Sequence, residues 1–208
     1  MKKFIISKKR LELSVICALI CAMFVSFAHF DAACEDMRSN VLRLHIIANS
    51  DSKADQELKL KVRDAILECS TELFSGNTDL ISATKTAKSS IPYFNEIANN
   101  VIKENGFSYE ATAGIGESYF ETREYEDFTL PAGDYESLII KLGNAKGKNW
   151  WCVVFPAVCI PTADGKLSDT VGDTATKIAE NPKKYVMKFK FIEIYEDLKK
   201  ILKNYKNA

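Results

Sequence analysis

The chain has 208 residues, with 28 basic and 28 acidic side chains and a formal net charge of zero. The first thirty residues hold five basic side chains and one acidic side chain, so the rest of the chain has 23 basic and 27 acidic residues. Such a mildly acidic body lacks the basic stripe with which proteins bind a phosphate backbone, and we expect no nucleic-acid partner.

Residues 1–30 have the layout of a signal peptide or membrane anchor. Five basic residues precede an almost unbroken apolar run over residues 13–28. About 16 residues rising 1.5 Å each span roughly 24 Å, a little less than the ~30 Å hydrocarbon core. The small residues Ser26 and Ala28 favour cleavage after Ala28. Because the positive charges precede the apolar run, we expect the body of the protein outside the cytoplasm, free or membrane-anchored.

Residues 31–208 are predicted to form one domain, which begins with a strand and two or three helices. The branched apolar residues 41–48 predict a buried strand. Ser52 and Asp55 then approximate a capping box ahead of a helix over residues 54–74. A second helical stretch, residues 79–104, contains Pro92, which should kink or split it.

The second half of the domain is predicted to be rich in strands. Alternating patterns indicate strands at residues 107–113, 119–125, 135–142 and 150–155, with a turn at residues 114–116. Residues 161–184 are polar and predict a loop of low order. A short strand at residues 187–191 should precede a terminal helix. The expected fold is therefore α+β, a mostly antiparallel sheet packed with two or three N-terminal helices and one C-terminal helix.

His45 is the only histidine beyond residue 30 and the first candidate for catalysis. A single histidine cannot build a zinc site without three further ligands, and we predict no metal and no cofactor. As a general base it would need a nearby nucleophile, which Ser50 or Asp51 could supply. Strand alternation favours a packing role, with the side chain on the face opposite Leu44 and Ile46.

The polar residues 49–52 stand where the first strand should end and a helix begin. Such residues accept the free backbone N–H groups of a helix start, and this capping role is the preferred interpretation. The same N–H groups can bind an anion, which is the alternative. A strand end can also present these side chains to a protein partner.

Two further pairs are candidates for special roles. Cys152 and Cys159 are separated by six residues that include Pro156, and outside the cytoplasm a short-loop disulfide is favoured over two buried thiols. Trp150 and Trp151 should point to opposite faces of their strand, one into the core and one to the surface, where it would be a contact candidate.

Several separated segments resemble stage II sporulation protein R of endospore-forming Firmicutes. The strongest is LRLHIIANSDS at residues 42–52, which continues through Asp55, Leu58 and Val62. The others are residues 104–106, residues 130–135 and GKNWWCVVFP at residues 147–156, with Cys159 beyond. The resemblance covers roughly residues 40–160. The strand and helix predicted near the C-terminus therefore rest on the sequence pattern alone.

The resemblance implies a signalling protein and not an enzyme. Such a protein is exported from the forespore into the space between the two sporulation membranes. There it switches on a membrane-bound aspartic protease of the mother cell, which processes the sigma-E precursor. The partner-binding candidates are His45, Asn49, Ser50, Asp51, Ser52, Trp150 and Trp151. The alternatives are an exported cell-wall hydrolase with His45 as base, and a structural envelope domain.

Overall fold

A computed structural model describes residues 8–125, 127–159 and 166–206. In chain order the elements are α1 (Lys8–Ser39), β1 (Leu42–Ile47), α2 (Lys53–Phe74), α3 (Leu80–Ser89), α4 (Ile91–Glu104), β2 (Ala111–Phe120), β3 (Arg123–Glu124), β4 (Thr129–Leu130), β5 (Gly133–Leu142), β6 (Asn149–Phe155), a 3-10 turn (Leu167–Asp169), α5 (Asp173–Ala179) and α6 (Pro182–Lys206). The predicted α+β class is confirmed.

The main sheet has four strands in the order β2-β5-β1-β6. The inner strands β1 and β5 are parallel, with Leu44 opposite Leu138, while β2 and β6 are antiparallel to their neighbours. β3 and β4 form a separate two-stranded ribbon. The main sheet is therefore mixed and mostly antiparallel, as the sequence pattern predicts.

The two faces of the sheet bury two separate apolar clusters. Leu44 and Ile46 of β1 pack with side chains of α2 and α4 in the larger cluster. On the other face, Phe30 and Met37 of α1 pack with Phe189 of α6 and with α5 in the smaller one. The period-two alternation of β1 explains this division, because successive side chains point to opposite faces.

The boundaries of the first helices follow their capping residues. Ser52 accepts the backbone N–H of Asp55 at 3.1 Å and begins α2, as predicted. Asp79 caps α3 in the same way, and Pro92 in the first turn of α4 separates the two helices. Gly106, with a φ of +77°, ends α4.

The turn predicted at residues 114–116 is wrong. Gly114 and Gly116 lie inside β2, which pairs with β5 over its full length, from Ala111 opposite Leu142 to Phe120 opposite Gly133. Neither glycine has a positive φ, so their backbone is extended like that of the residues around them. β2 therefore joins the end of the first predicted strand, residues 111–113, to the start of the second, residues 119–120, whereas residues 123–124 of the second form β3.

Two predictions for the C-terminal region are also wrong. The expected loop at residues 161–184 contains the 3-10 turn and α5 within its described residues, and residues 160–165 lie outside the described ranges. The strand predicted at residues 187–191 is part of α6. Phe189 is buried, while Met187 and Phe191 are exposed. The apparent alternation arises because a helix with apolar side chains on two opposite faces also places them at every second position here.

The predicted leader joins the domain without a break. α1 continues through Ala28 to Ser39, and its C-terminal part, which includes the buried Phe30 and Met37, belongs to the smaller cluster. The large side chains of residues 11–25 are exposed, and this helix is long and apolar enough to cross a membrane. The domain boundary at residue 31 and the cleavage after Ala28 stay predictions.

Candidate functional site

The polar residues that follow β1 fasten the loop between β5 and β6. Asn49 accepts the backbone N–H of Asn144 through its Oδ1 at 2.9 Å, and Asp51 accepts that of Lys148 through its Oδ1 at 2.7 Å. The N–H of Gly147 donates to the carbonyl of Ala48 at 2.8 Å. A Cβ at Gly147 would collide with the backbone of Ser50, so the loop approaches β1 this closely only with glycine there.

Asp55 connects this strand end to α2 and to the segment before β2. Its side chain is 5% exposed and accepts hydrogen bonds from Asn49 Nδ2 at 3.0 Å, from Ser50 Oγ and from the Tyr109 hydroxyl at 2.6 Å. Burial by itself would raise the pKa of Asp55, but these hydrogen bonds outweigh it and the pKa is lowered. Burial and the bond to Asp55 raise the pKa of Tyr109. An ionised carboxylate and a neutral phenol therefore hold the network together.

Most of the polar cluster is thus engaged in internal hydrogen bonds. The predicted cap at Ser52 is confirmed, whereas Asp51 holds the β5–β6 loop and does not cap α2. Lys59 reaches the same loop from α2, donating from Nζ to the carbonyl of Lys148 at 3.0 Å. Burial lowers the pKa of Lys59, while the nearby Asp51 opposes this shift. The capping interpretation therefore holds for Ser52, while Asn49, Ser50 and Asp51 are engaged in other internal hydrogen bonds, which disfavours an anion site.

His45 lies on the other face of the sheet, in contact with residues distant in sequence. Its Nε2 is 3.0 Å from Asn149 Oδ1, its Nδ1 is 3.3 Å from Ser118 Oγ, and its ring stacks on Trp151 with centroids 3.9 Å apart. Burial lowers the pKa of His45, and the positive charge of Lys141 adds to this, while the bond to Asn149 opposes it. A neutral ring satisfies both contacts when Nε2–H donates to Asn149 and Nδ1 accepts from Ser118.

The residues proposed from sequence to work with His45 are bonded elsewhere. Ser50 donates to Asp55, and Asp51 accepts from Lys148. Ser118 and Asn149 take their place, and nothing in the local sequence indicates this, since they are 73 and 104 residues away from His45. Ser118, His45 and Asn149 form a chain of hydrogen bonds in which the histidine can accept a proton from the serine.

Beside His45, the fully buried Arg43 lies among aromatic rings. Its guanidinium carbon is 3.9 Å from the ring centroid of Phe120 and 4.8 Å from that of Tyr135. Nε donates to the carbonyl of Cys152 at 3.0 Å and Nη2 to the hydroxyl of Tyr125 at 2.7 Å. The ion pairs found in residues 8–125, 127–159 and 166–206 do not include Arg43. The rings therefore supply much of its electrostatic stabilisation.

The two tryptophans do point to opposite faces, but the expected division into one core ring and one surface ring is wrong. Both are half-buried. Trp150 packs beside the larger cluster with the Arg63 guanidinium 4.4 Å from its ring centroid. Trp151 lies between His45 and Phe120. Both rings are thus partly available to a partner.

Cys152 and Cys159 are adjacent in space but are free thiols in the structure. The two thiols influence each other: the pKa of Cys152 is lowered by its interaction with Cys159, and the pKa of Cys159 is raised by its interaction with Cys152 and by burial. The disulfide is not formed and stays a prediction, which their proximity permits.

Comparison with known proteins identifies relatives of the central part of the chain. The profile of a family described as Stage II sporulation protein R (spore_II_R) matches residues 38–164. Stage II sporulation protein R of Bacillus subtilis (strain 168) is 37% identical over 118 residues, which are 57% of this chain and 53% of that protein. The match therefore spans about half the length of that relative. No solved structure matches the chain.

The matched residues contain both features described above, the strand-end network around Asp55 and the group around His45. The match begins in the last turn of α1 and ends before α5 and α6. The C-terminal helices therefore lie outside the part that is shared with the family.

Proposed function

Since the chain belongs to the stage II sporulation protein R family, we propose that it is an exported signalling protein that activates a membrane-bound aspartic protease of the mother cell. The protease in turn processes the sigma-E precursor. The family match over residues 38–164 carries this proposal and supports a role in sporulation. The apolar N-terminal part of α1 is compatible with the export or membrane anchoring that such a signal needs.

The geometry of the polar cluster supports a ligand more than an enzyme. Residues 49–52 are bonded to Asp55 and to the β5–β6 loop, which leaves their side chains a mainly structural task. The half-buried ring of Trp151, next to His45 on the other face, is the better contact candidate, because aromatic side chains often dominate protein interfaces.

The test is a deletion of the gene in a sporulating host, with immunoblots of the sigma-E precursor. We expect precursor cleavage and spore formation to fail together, and the full-length chain to restore both. Normal cleavage in the deletion strain would overturn the proposal. Loss of spores with normal cleavage would favour the structural envelope domain.

The contact surface is tested with a matched pair of variants. Trp151→Ala removes the ring beside His45, whereas Trp150→Ala removes the ring beside Arg63 on the opposite face. With protein levels equalised, we expect Trp151→Ala to reduce precursor cleavage more than Trp150→Ala. If Trp150→Ala reduced precursor cleavage as much as Trp151→Ala, or more, the face around His45 would not be the contact surface.

A second candidate is an exported hydrolase acting on cell wall, and the bonded series Ser118, His45 and Asn149 is the observation that favours it. If it were correct, Ser118→Ala and His45→Ala would each abolish activity in chains that fold and are exported normally. A signalling ligand should tolerate Ser118→Ala. A zymogram on purified cell wall, run beside the precursor immunoblot, separates the two functions.

A further inference from the structure

α6 has apolar side chains on two opposite faces. On the inner face, Phe189 and Ile192 are buried in the smaller cluster and Tyr185 packs beside it. The outer face carries eight large side chains that are between 48% and 85% exposed, namely Met187, Phe191, Ile194, Tyr195, Leu198, Ile201, Leu202 and Tyr205. A surface helix of a soluble domain needs only the inner face, so the outer face requires a separate explanation.

The outer face is continuous along most of the helix. Met187, Phe191, Ile194, Leu198, Leu202 and Tyr205 follow one another in steps of three or four residues. This spacing keeps them on one side of a helix and makes a stripe about 27 Å long. A stripe of this length exceeds the single exposed apolar residues that normal surfaces carry.

The position of α6 beside α1 indicates what covers the stripe. Lys188 Nζ donates to Ser26 Oγ at 2.8 Å, and Phe30 packs against Tyr185 and Phe189 with centroids 5.8 Å and 5.1 Å apart. Ser26 lies at the end of the apolar run of α1 that is nearer to the domain. If this run crosses a bilayer, the first turns of α6 lie at the level of the bilayer surface.

Beyond these turns, α6 leaves α1 and runs along the domain. Asp197 accepts a hydrogen bond from the Tyr119 hydroxyl at 2.9 Å, and the Lys200 ammonium is 4.5 Å from the centroid of the same ring. α6 is therefore not a second spanning helix beside α1. The outer stripe is exposed, as are the large side chains of residues 11–25 in α1.

The charges of α6 fit an anionic surface. Residues 182–206 contain eight lysines and three acidic residues. The acidic residues are engaged within the domain or the helix: Glu196 is buried, Asp197 bonds Tyr119 and Glu193 pairs with Lys190. Lysines thus exceed acidic residues by five in the sequence of this helix, and a basic composition together with an apolar stripe is typical of helices that lie in the plane of a membrane.

We propose that α6 is an interfacial helix that inserts its outer stripe into the headgroup boundary of the bilayer that holds α1. Its lysines contact anionic lipid there. The proposal concerns how the domain lies on its membrane, and it does not depend on protease activation. A second copy of the chain and a protein partner are the other occupants that the experiment must distinguish.

The experiment uses the full-length chain in vesicles of phosphatidylcholine and phosphatidylglycerol. A photoactivatable apolar reagent is dissolved in the bilayer, an aqueous thiol scavenges reagent outside it, and labelled residues are mapped by mass spectrometry. Labelling of residues 11–25 reports correct insertion of α1. Ile81 of α3 is 83% exposed and serves as the control for an apolar side chain in water.

We expect labelling of the outer stripe to exceed that of Ile81 severalfold. Labelling no higher than at Ile81, in chains whose α1 is labelled, would overturn the proposal. Chemical cross-links between α6 of two copies, together with an unlabelled stripe, would assign the stripe to a dimer. A stripe that stays unlabelled in the bilayer, but whose amide hydrogen exchange slows when the protease is added, would assign it to the protein partner.

A matched pair of variants completes the test. Leu198→Glu places a charge in the stripe without changing the inner face of α6, and we expect severalfold lower labelling of Phe191 and Leu202 at an unchanged helix content. Ile81→Glu makes the same change on α3 and should leave the labelling of α6 unaltered. Unchanged labelling in Leu198→Glu would count against insertion of the stripe.

Discussion

The hydroxyl of Tyr109 donates a 2.6 Å hydrogen bond to the buried carboxylate of Asp55, 54 residues earlier in the chain. This bond joins the start of α2 to the segment that leads into β2. Asn49 and Ser50 donate to the other carboxylate oxygen, so a single ionised group holds three parts of the domain together. The group should therefore govern how stability depends on pH.

We expect Asp55 to make the fold acid-sensitive. Its pKa is lowered in the folded state, so its contribution is fully present above the unfolded value near 3.8 and is lost as the pH falls through the lower folded value. The free energy of unfolding of the wild type, measured by urea denaturation from pH 6 to pH 2, should fall more steeply than that of Asp55→Asn. Tyr109→Phe, which removes one donor, should give an intermediate slope. Parallel curves for the wild type and Asp55→Asn would contradict this prediction.

Ser52→Ala should destabilise the protein by about 1 kcal/mol, because it removes the side chain that caps α2. Asp51→Ala removes the acceptor of the Lys148 N–H and should mainly loosen the β5–β6 loop. Amide hydrogen exchange distinguishes the two: faster exchange in the first turn of α2 for Ser52→Ala, and near residue 148 for Asp51→Ala. Signalling should fall only in proportion to the protein level.

Arg43→Lys should destabilise the protein by about 2 kcal/mol although the charge is retained. A lysine cannot reproduce both hydrogen bonds of the guanidinium or its contact with Phe120, and a buried polar partner would be left unpaired. Arg63→Lys is the control, because Arg63 contacts Trp150 near the surface. This variant should lower the free energy of unfolding by less than about 1 kcal/mol. Similar losses in denaturant titrations of both variants would show that the aromatic surroundings of Arg43 contribute little.

His45 should titrate below its ordinary pKa of 6.5, because burial disfavours the charged ring. Because the pKa of His45 is lower in the folded state than in the unfolded state, the neutral ring contributes fully to the free energy of unfolding above the unfolded pKa. That contribution is lost as the pH falls through the folded pKa. NMR titration of the imidazole carbon-bound protons measures this directly. His45→Gln should keep precursor cleavage if the chain is a ligand. Loss of cell-wall hydrolysis, seen in a zymogram of a folded His45→Gln chain beside the wild type, would instead favour the hydrolase.

The disulfide between Cys152 and Cys159 stays a prediction for the protein after export. If it forms, its short loop should contribute at most about 2 to 3 kcal/mol, less any strain. Mass spectrometry of protein recovered from outside the cytoplasm, alkylated before unfolding, tests the bond. Alkylation of both Cys152 and Cys159 in the native, exported protein would rule out the disulfide.

Local patterns predicted those parts of the molecule that local interactions determine. The end of β1 and the start of α2 follow from the cap at Ser52, and the split between α3 and α4 follows from Pro92. The partners of His45 could not be predicted in this way, because Ser118 and Asn149 reach it only through the pairing of strands. Arg43 resembles a solvent-facing charge in the sequence, and only the fold reveals the rings around it.

The C-terminal errors have a different physical cause. A strand places side chains on two faces at every second residue, and a helix with two apolar faces produces a similar alternation over short distances. Met187, Phe189 and Phe191 fit both patterns. In the fold Phe189 packs on Phe30 of α1, with ring centroids 5.1 Å apart, and that contact is not visible in the sequence of α6.

The unbroken course of α1 limits how far the domain can stand from its membrane. From Ala28 to the buried Phe30 there are two residues of continuous helix, and a rise of 1.5 Å for each leaves only about 3 Å between the apolar run and the domain. In a chain whose α1 is not cleaved, the domain is thus held close to the membrane by a continuous helix and not by a flexible linker. If the proposed receptor belongs to another membrane, it would have to reach the domain at the surface of the membrane that holds α1.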